Sequence, residues 1–152
     1  MLKIVEYTDA YKENVTEMLI EIILNEFDMQ ERIEDIKEYD YNSYKVGGGN
    51  FWIAIDENNN VHATIGIQND IQRKEAKLVR MYMRQEYRGC GVSRKLLNLA
   101  IEYVKGLNYD KIVLGTYKKL ERAIAFYEKN GFREYNKIPA IDGEAKFYVL
   151  KF

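Results

Sequence analysis

Hydrophobic and polar residues change period several times along this chain, and each change marks an element. Leu2 to Tyr7 alternates as a short strand. From Thr8 or Asp9 the apolar positions return at helical spacing, with Val15, Met18, Leu19, Ile22, Ile23 and Phe27 on one face and glutamates opposite. A second, more charged helix is predicted from about Gln30 to Tyr41, and the Gly47-Gly48-Gly49-Asn50 cluster ends it. Phe51 to Asp56 and Val61 to Gln68 read as strands joined by the hairpin turn Glu57-Asn58-Asn59-Asn60, and Ala76 to Met83 as a third. After Gly91, Val92, Leu96, Leu97, Ala100, Tyr103, Val104 and Leu107 form a helical stripe that Gly106 and Asn108 close. Lys111 to Leu114 is a short strand, and Leu120 to Lys129 a helix stopped by Asn130-Gly131. Phe132 to Ile138 and Ala145 to Phe152 are expected to pair around an Ile141-Asp142-Gly143 turn. Three consecutive strands predict an antiparallel meander, and the strand–helix–strand units after it predict a parallel junction.

Composition narrows the class. A chain of 152 residues suits one domain spanning 1–152, with 47% hydrophobic and 31% charged residues as in ordinary globular proteins. The net charge of −1 gives no reason to expect nucleic acid or an anionic membrane as partner. No cationic start precedes an apolar run, and the most apolar piece, Met18 to Leu24, is interrupted by Glu21. The single cysteine, Cys90, and single histidine, His62, leave no disulfide and no metal-ligand set. A reduced, cytoplasmic protein without a metal is the expectation. Thirteen tyrosines suggest clefts lined by rings with a polar tip.

The sharpest local signal is Met83-Arg84-Gln85-Glu86-Tyr87-Arg88-Gly89-Cys90-Gly91-Val92-Ser93-Arg94, where a strand meets a helix through an Arg/Gly-rich turn. The first amides of a helix lack internal partners and carry about half a positive charge. Gly89 and Gly91 remove side chains that would keep an anion away, and Arg88, Arg94 and Lys95 add full charge. A pyrophosphate fits such a turn, although a plain tight turn has the same pattern. The dinucleotide fingerprint would need a third glycine where Arg94 stands. The nucleoside-triphosphate loop would need Gly-Lys-Ser/Thr, which is absent.

Arg88-Gly89-Cys90-Gly91-Val92-Ser93 resembles motif A of the GNAT superfamily of N-acetyltransferases, Gln/Arg-x-x-Gly-x-Gly/Ala. Arg80-Met81-Tyr82-Met83 is similar to the strand that precedes it. Ala123-Ile124-Ala125-Phe126-Tyr127-Glu128-Lys129-Asn130-Gly131-Phe132 resembles motif B. The resemblance implies an α/β fold with a central, mostly antiparallel, splayed sheet flanked by helices. It also implies acetyl-CoA as co-substrate and an amine-bearing acceptor, attacked directly in a ternary complex. By the same resemblance Met81, Tyr82 and Met83 run beside the pantetheine, and an amide near Met83 holds the thioester carbonyl. Main-chain groups of Arg88, Gly89, Cys90, Gly91, Val92, Ser93 and Arg94 would hold the pyrophosphate. Tyr127 would be the acid for the leaving thiolate, since a phenol keeps its proton at neutral pH. On position alone it could equally be core.

Departures from the family pattern leave a second reading, a CoA-binding sensing or interaction module without catalysis. Ser93 replaces a Gly or Ala, Leu120 stands where many members have an asparagine, and Gly115 where some place a glutamate base. Candidates for the base are Glu75, the acids of the second helix, or water. Glu26, Asp28, Glu31, Glu34 and Asp35 form either a solvated face or an attractor for a cationic amine. Arg80 could instead recognise a carboxylate, so the two ideas predict opposite acceptors. Cys90 has no histidine nearby to activate it, and His62 is expected to be structural. Exposed edges at the C-terminal strand pair would suit a homodimer.

Overall fold

Phe51, Ile53 and Ile55 are buried on one face of a strand, and Trp52 and Ala54 on the other. A strand with both faces covered belongs in the middle of a layered fold, and its period of two assigns each residue to one of two cores. In the computed structural model, which describes residues 1–135 and 144–152, this strand (β2, Asn50–Ile55) pairs with β1 (Lys3–Glu6) and β3 (Val61–Asp70). The sheet continues through β4 (Glu75–Met83), β5 (Lys111–Tyr117), β7 (Ala145–Lys151) and β6 (Arg133–Glu134), in the order β1-β2-β3-β4-β5-β7-β6. All junctions are antiparallel except β4–β5. The expected splayed, mostly antiparallel sheet is therefore present.

One core lies under α1 (Lys12–Ile22) and α2 (Ile33–Glu38), where Val15, Met18, Leu19, Ile22, Ile23 and Ile36 meet Phe51, Ile53 and Ile55. The other lies under α4 (Val92–Gly106) and α5 (Glu121–Lys129), with Leu96, Leu97, Ala100 and Val104 fully buried. The two leucines and the valine each contribute about 1.5–3 kcal/mol on leaving water. The expected α4 stripe is the buried face, with Tyr103 at its margin donating to the carbonyls of Gly48 and Gly49.

Differences from the sequence reading are local. The second helix starts as a single tight turn at Gln30–Arg32 and stops at Glu38, not Tyr41, because Tyr39 adopts an extended backbone. A short helix, α3 (Ser43–Val46), follows. Tyr39 then packs edge-on against Tyr41 and Tyr44, and each of those two stacks on Phe51. The first helix ends in a wider turn, Ile23–Phe27, that Asp28 closes with φ of 49°. β5 runs to Tyr117 rather than Leu114, held by β7. The expected closing turn, Ile141-Asp142-Gly143, and the end of its first strand, residues 136–138, lie outside the described residues.

The sheet opens between β4 and β5, which share only the Ala76–Ile112 and Lys77–Val113 positions. The cause lies on the other edge of β4. Thr64 pairs with Tyr82 and Gly66 with Val79, so Arg80 and Met81 together face Ile65. Such a bulge bends its strand. Arg80 carries it with φ of 53°, a left-handed conformation costing a non-glycine residue roughly 1–3 kcal/mol. The buried Thr64 hydroxyl donates to the Arg80 carbonyl at 2.6 Å, replacing the ladder bond the bulge removes.

Candidate active site

The opening leads into a cavity of about 830 Å³, floored by Met81, Tyr82 and Met83 and bordered by the turn into α4. In that turn Gly89 and Gly91 have φ of +83° and +86°, and a Cβ added to either would meet nothing within 4 Å. Backbone conformation, not space, demands glycine there, and neither glycine brings a side chain of its own over the neighbouring amides. The first α4 hydrogen bond is Lys95 N–H to Gly91 O at 3.2 Å. The amides of Val92, Ser93 and Arg94 thus have no partner among the described residues, leaving the positive end of a fifteen-residue helix at the cavity mouth.

The charges around this mouth differ from the expectation. Arg88 is not a free cation: it forms an ion pair with Glu26 and donates to the Met83 carbonyl at 3.2 Å. Lys95 does not reach the cavity. Arg94 does line it, joined by three cations of the β5–α5 segment, Lys119, Arg122 and Lys129. Sequence reading missed these three because their common placement depends on how α5 docks.

Met83 turns its main chain toward the opening. Arg84 N–H donates to His62 O at 2.9 Å, and inward and outward main-chain groups alternate along an antiparallel pair. The amide and carbonyl of Met83 therefore point away from β3, as its contact with Arg88 also indicates. The Ser93 hydroxyl lies 3.4 Å from the Met83 sulfur, so the added oxygen points at the strand end.

Tyr127 sits on α5 with its ring against Phe132 at 5.6 Å and Phe126 at 6.0 Å. Its hydroxyl has no hydrogen-bond partner among the described residues. It is not sealed in the core either, since among the described residues the one fully enclosed polar side-chain atom without a partner is Nδ1 of His62. Burial pushes the Tyr127 phenol well above the usual tyrosine range, with the Tyr82 hydroxyl adding to the shift. Core residue and cavity wall are thus one and the same: the ring packs and the oxygen faces the opening.

A second cavity of about 500 Å³ lies along the same opening and shares Phe27, Met81, Tyr82, Leu120, Ala123 and Tyr127 with the first. Its charged lining residues are Arg32, Lys77 and Arg80, with no aspartate or glutamate among those described. Arg80 Nε donates to the Tyr44 hydroxyl at 3.3 Å, and its guanidinium lies 4.7 Å from the Tyr39 ring centre. Arg32 donates to the Tyr82 hydroxyl at 3.2 Å.

A family model described as Acetyltransferase (GNAT) family matches residues 16–132. The chain belongs to the GNAT family. A GNAT-family acetyltransferase from Staphylococcus aureus Mu50, solved as a crystal structure, is 32% identical over 99% of both chains, with a TM-score of 0.83. Human N-acetylaspartate synthetase is 30% identical over 116 residues, covering 76% of this chain and 35% of that protein. N-alpha-acetyltransferase 30 of Schizosaccharomyces pombe is 25% identical over 142 residues, covering 91% and 88%. The chain spans between 35% and 51% of the length of the first curated relatives it matches. Two neighbours at 17% identity, from Thermoplasma acidophilum and Salmonella typhimurium, share the fold with TM-scores of 0.75. They were solved with coenzyme A and acetyl-CoA respectively, and this chain covers 99% and 94% of them.

Within this GNAT fold, Met81, Tyr82, Met83, Arg88, Gly89, Gly91, Ser93, Arg94 and Tyr127 all reach one cavity. Cys90 and Val92 do not: the cysteine is exposed and the valine side chain joins the α4 core, leaving only their main chain at the turn. Leu120 lines both cavities, and Gly115 the second. A side chain at 115 would start 3.1 Å from the Phe147 ring. Glu75 pairs with Lys111 at the closed end of the fork, and neither it nor the acids of α2 line either cavity. His62 bonds Asp56 at 2.7 Å and packs on Tyr87, locking the β2–β3 hairpin to the turn. Among the described residues no helix is long and apolar enough to cross a membrane.

Proposed function

We propose that this chain transfers an acetyl group from acetyl-CoA to a primary amine by direct attack in a ternary complex. The carrying observation is the unpartnered hydroxyl of Tyr127 at the junction of the two cavities. The donor's pyrophosphate would rest on the free amides at the start of α4, with Arg94, Lys119, Arg122 and Lys129 balancing its charge. Relatives solved with coenzyme A or acetyl-CoA support this donor, and relatives named for N-acetyl transfer support nitrogen as the attacking atom.

The amine nitrogen forms a bond to the thioester carbon, and negative charge develops on the carbonyl oxygen. The outward Met83 amide would meet that charge, a preorganised donor of the kind worth about 2.7–4 kcal/mol of barrier. The carbon–sulfur bond then breaks and sulfur takes the Tyr127 proton. Burial makes that phenol a weak acid, yet the thiolate departs into the same dry surroundings, which raise its own basicity. Before attack the ammonium loses one proton to water in the second cavity, since no described carboxylate lines that side; the second nitrogen proton, lost as the amide forms, restores the Tyr127 phenol.

Tyr127→Phe keeps the ring and removes the proton. Free-thiol release with an amine panel should fall about 10²–10⁴-fold while acetyl-CoA binding is retained. Unchanged release contradicts the assignment of Tyr127. Tight acetyl-CoA binding with no thiol released from any amine favours the CoA-binding module, which the departures at Leu120 and Gly115 would suit.

A further inference from the structure

Resting on that reading, we infer that the acceptor is a small amino carboxylate whose carboxylate is bound by Arg80 and Arg32 in the second cavity. The two arginines converge on a space of about 500 Å³, the size of a small-molecule site. The ion pairs of the described residues include neither of them. Both are half-buried, and their partners are tyrosine rings and hydroxyls.

Neutral partners satisfy a guanidinium's donors without cancelling its charge. Burial also keeps the Tyr44 and Tyr41 phenols protonated, so neither supplies a phenolate as counter-ion. Each arginine uses one donor on a tyrosine, leaving other N–H groups of its planar fork for a carboxylate. Lys77 at the rim adds a third positive charge.

The fold also works to keep Arg80 where it is. It occupies the bulge in a left-handed conformation, with Thr64 holding its carbonyl and Tyr39 and Tyr41 flanking its guanidinium. Strain maintained at a cavity wall points to a use for the side chain. The rival acceptor, a polyamine, would enter beside three cations with no described acid to receive it. The acids that could have attracted it are elsewhere: Glu26 lines the first cavity, paired to Arg88, and Asp28, Glu31, Glu34 and Asp35 line neither. A carboxylate on Arg80 and Arg32 would leave the amine directed toward the shared wall at Tyr82 and Tyr127, where the donor carbonyl is reached.

The test uses the full chain with acetyl-CoA and four probe sets: free L-α-amino acids, the same compounds with every carboxylate converted to a carboxamide, spermidine, and short peptides with acidic first residues. Thiol release gives kcat and KM, and calorimetry on CoA-loaded protein gives binding without turnover. At least one free amino acid should be accepted about 10- to 100-fold better than its carboxamide and than spermidine. Arg80→Met and Arg32→Met should raise its KM by a similar factor with acetyl-CoA affinity unchanged, and Arg80→Lys should recover part of the loss. Arg32→Met leaves the bulge intact, so the idea stays testable if Arg80→Met does not fold. Carboxamides or spermidine matching the free acids overturns the inference while acetyl transfer stands. Acidic peptides outcompeting every free amino acid overturns the small-molecule assignment. Free acids that bind CoA-loaded protein but release no thiol support the carboxylate site and overturn the catalytic reading. No binding and no turnover of any free amino acid overturns the inference.

Discussion

The hydroxyl of Thr64 on β3 donates to the carbonyl of Arg80 on β4 at 2.6 Å, across the bulge where two residues of β4 face one of β3. This bond links the bend in β4, the opening beside it and the direction of Arg80. Thr64→Val keeps the shape and leaves the Arg80 carbonyl unpaired, a loss of about 1–3 kcal/mol. The melting temperature should fall by several degrees, and the acceptor KM should rise. An unchanged melt would mean the bulge is held without this bond.

Gly91→Ala tests the turn. A Cβ at 91 meets no atom within 4 Å, so the only penalty is the left-handed backbone at +86°, about 1–2 kcal/mol for alanine. Donor affinity, read by calorimetry with CoA, should weaken as the turn relaxes and the α4 amides lose their alignment. Affinity equal to the parent chain would show that the amides are not what holds the ligand.

Glu26 neutralises Arg88 inside the cavity that would receive a polyanion. Glu26→Gln should therefore tighten CoA binding by about two- to five-fold, in keeping with a partly exposed pair, and steepen its salt dependence. Weaker binding would instead mean that Glu26 positions Arg88 for the ligand.

Much of this was legible in the sequence, and the reasons are physical. The alternation through Phe51 to Ile55 and the stripe from Val92 to Val104 are set by strand and helix periods, which depend on neighbours in the chain. The Gly89 and Gly91 turn is likewise local, because a positive φ selects glycine wherever it occurs. Features made by distant partners could not be read. The second helix ends early where Tyr39 and Tyr41 pack near Phe51 and Arg80, a tertiary contact that overrides helical propensity. The Arg88–Glu26 pair joins residues far apart in sequence, so Arg88 looked free when it is not. The bulge at Arg80 depends on its register against Thr64, which no periodicity in β4 reveals.

Buried tyrosines should make the fold sensitive to alkali. Desolvation pushes up the phenols of Tyr7, Tyr41, Tyr44 and Tyr127, so each is harder to ionise folded than unfolded. Their contribution is complete below the unfolded value of 10.0 and is lost as pH rises above it, when the unfolded chain releases protons first. An absorbance titration should find these phenols ionising together with unfolding. Full tyrosinate formation in a chain whose far-ultraviolet dichroism is still native would contradict it.

Acid should act on the β2–β3 hairpin. The His62 hydrogen bond, with backbone donors from Asn58 and Asn60, holds the Asp56 carboxyl well below the usual carboxylate range. Its stabilising effect is present above the unfolded value of 3.8 and disappears as pH falls through the lower folded one. Asp56→Asn should flatten the acid limb of a pH–melting curve. An identical limb would remove Asp56 from the account.

Everything turns on whether the α4 turn and the fork beside it receive a donor. Isothermal titration of the unaltered chain with acetyl-CoA is the most direct measurement. One saturable site, with heat lost or weakened in Gly91→Ala and retained in Tyr127→Phe, is the predicted result. No heat with acetyl-CoA or CoA at any attainable concentration would contradict the account.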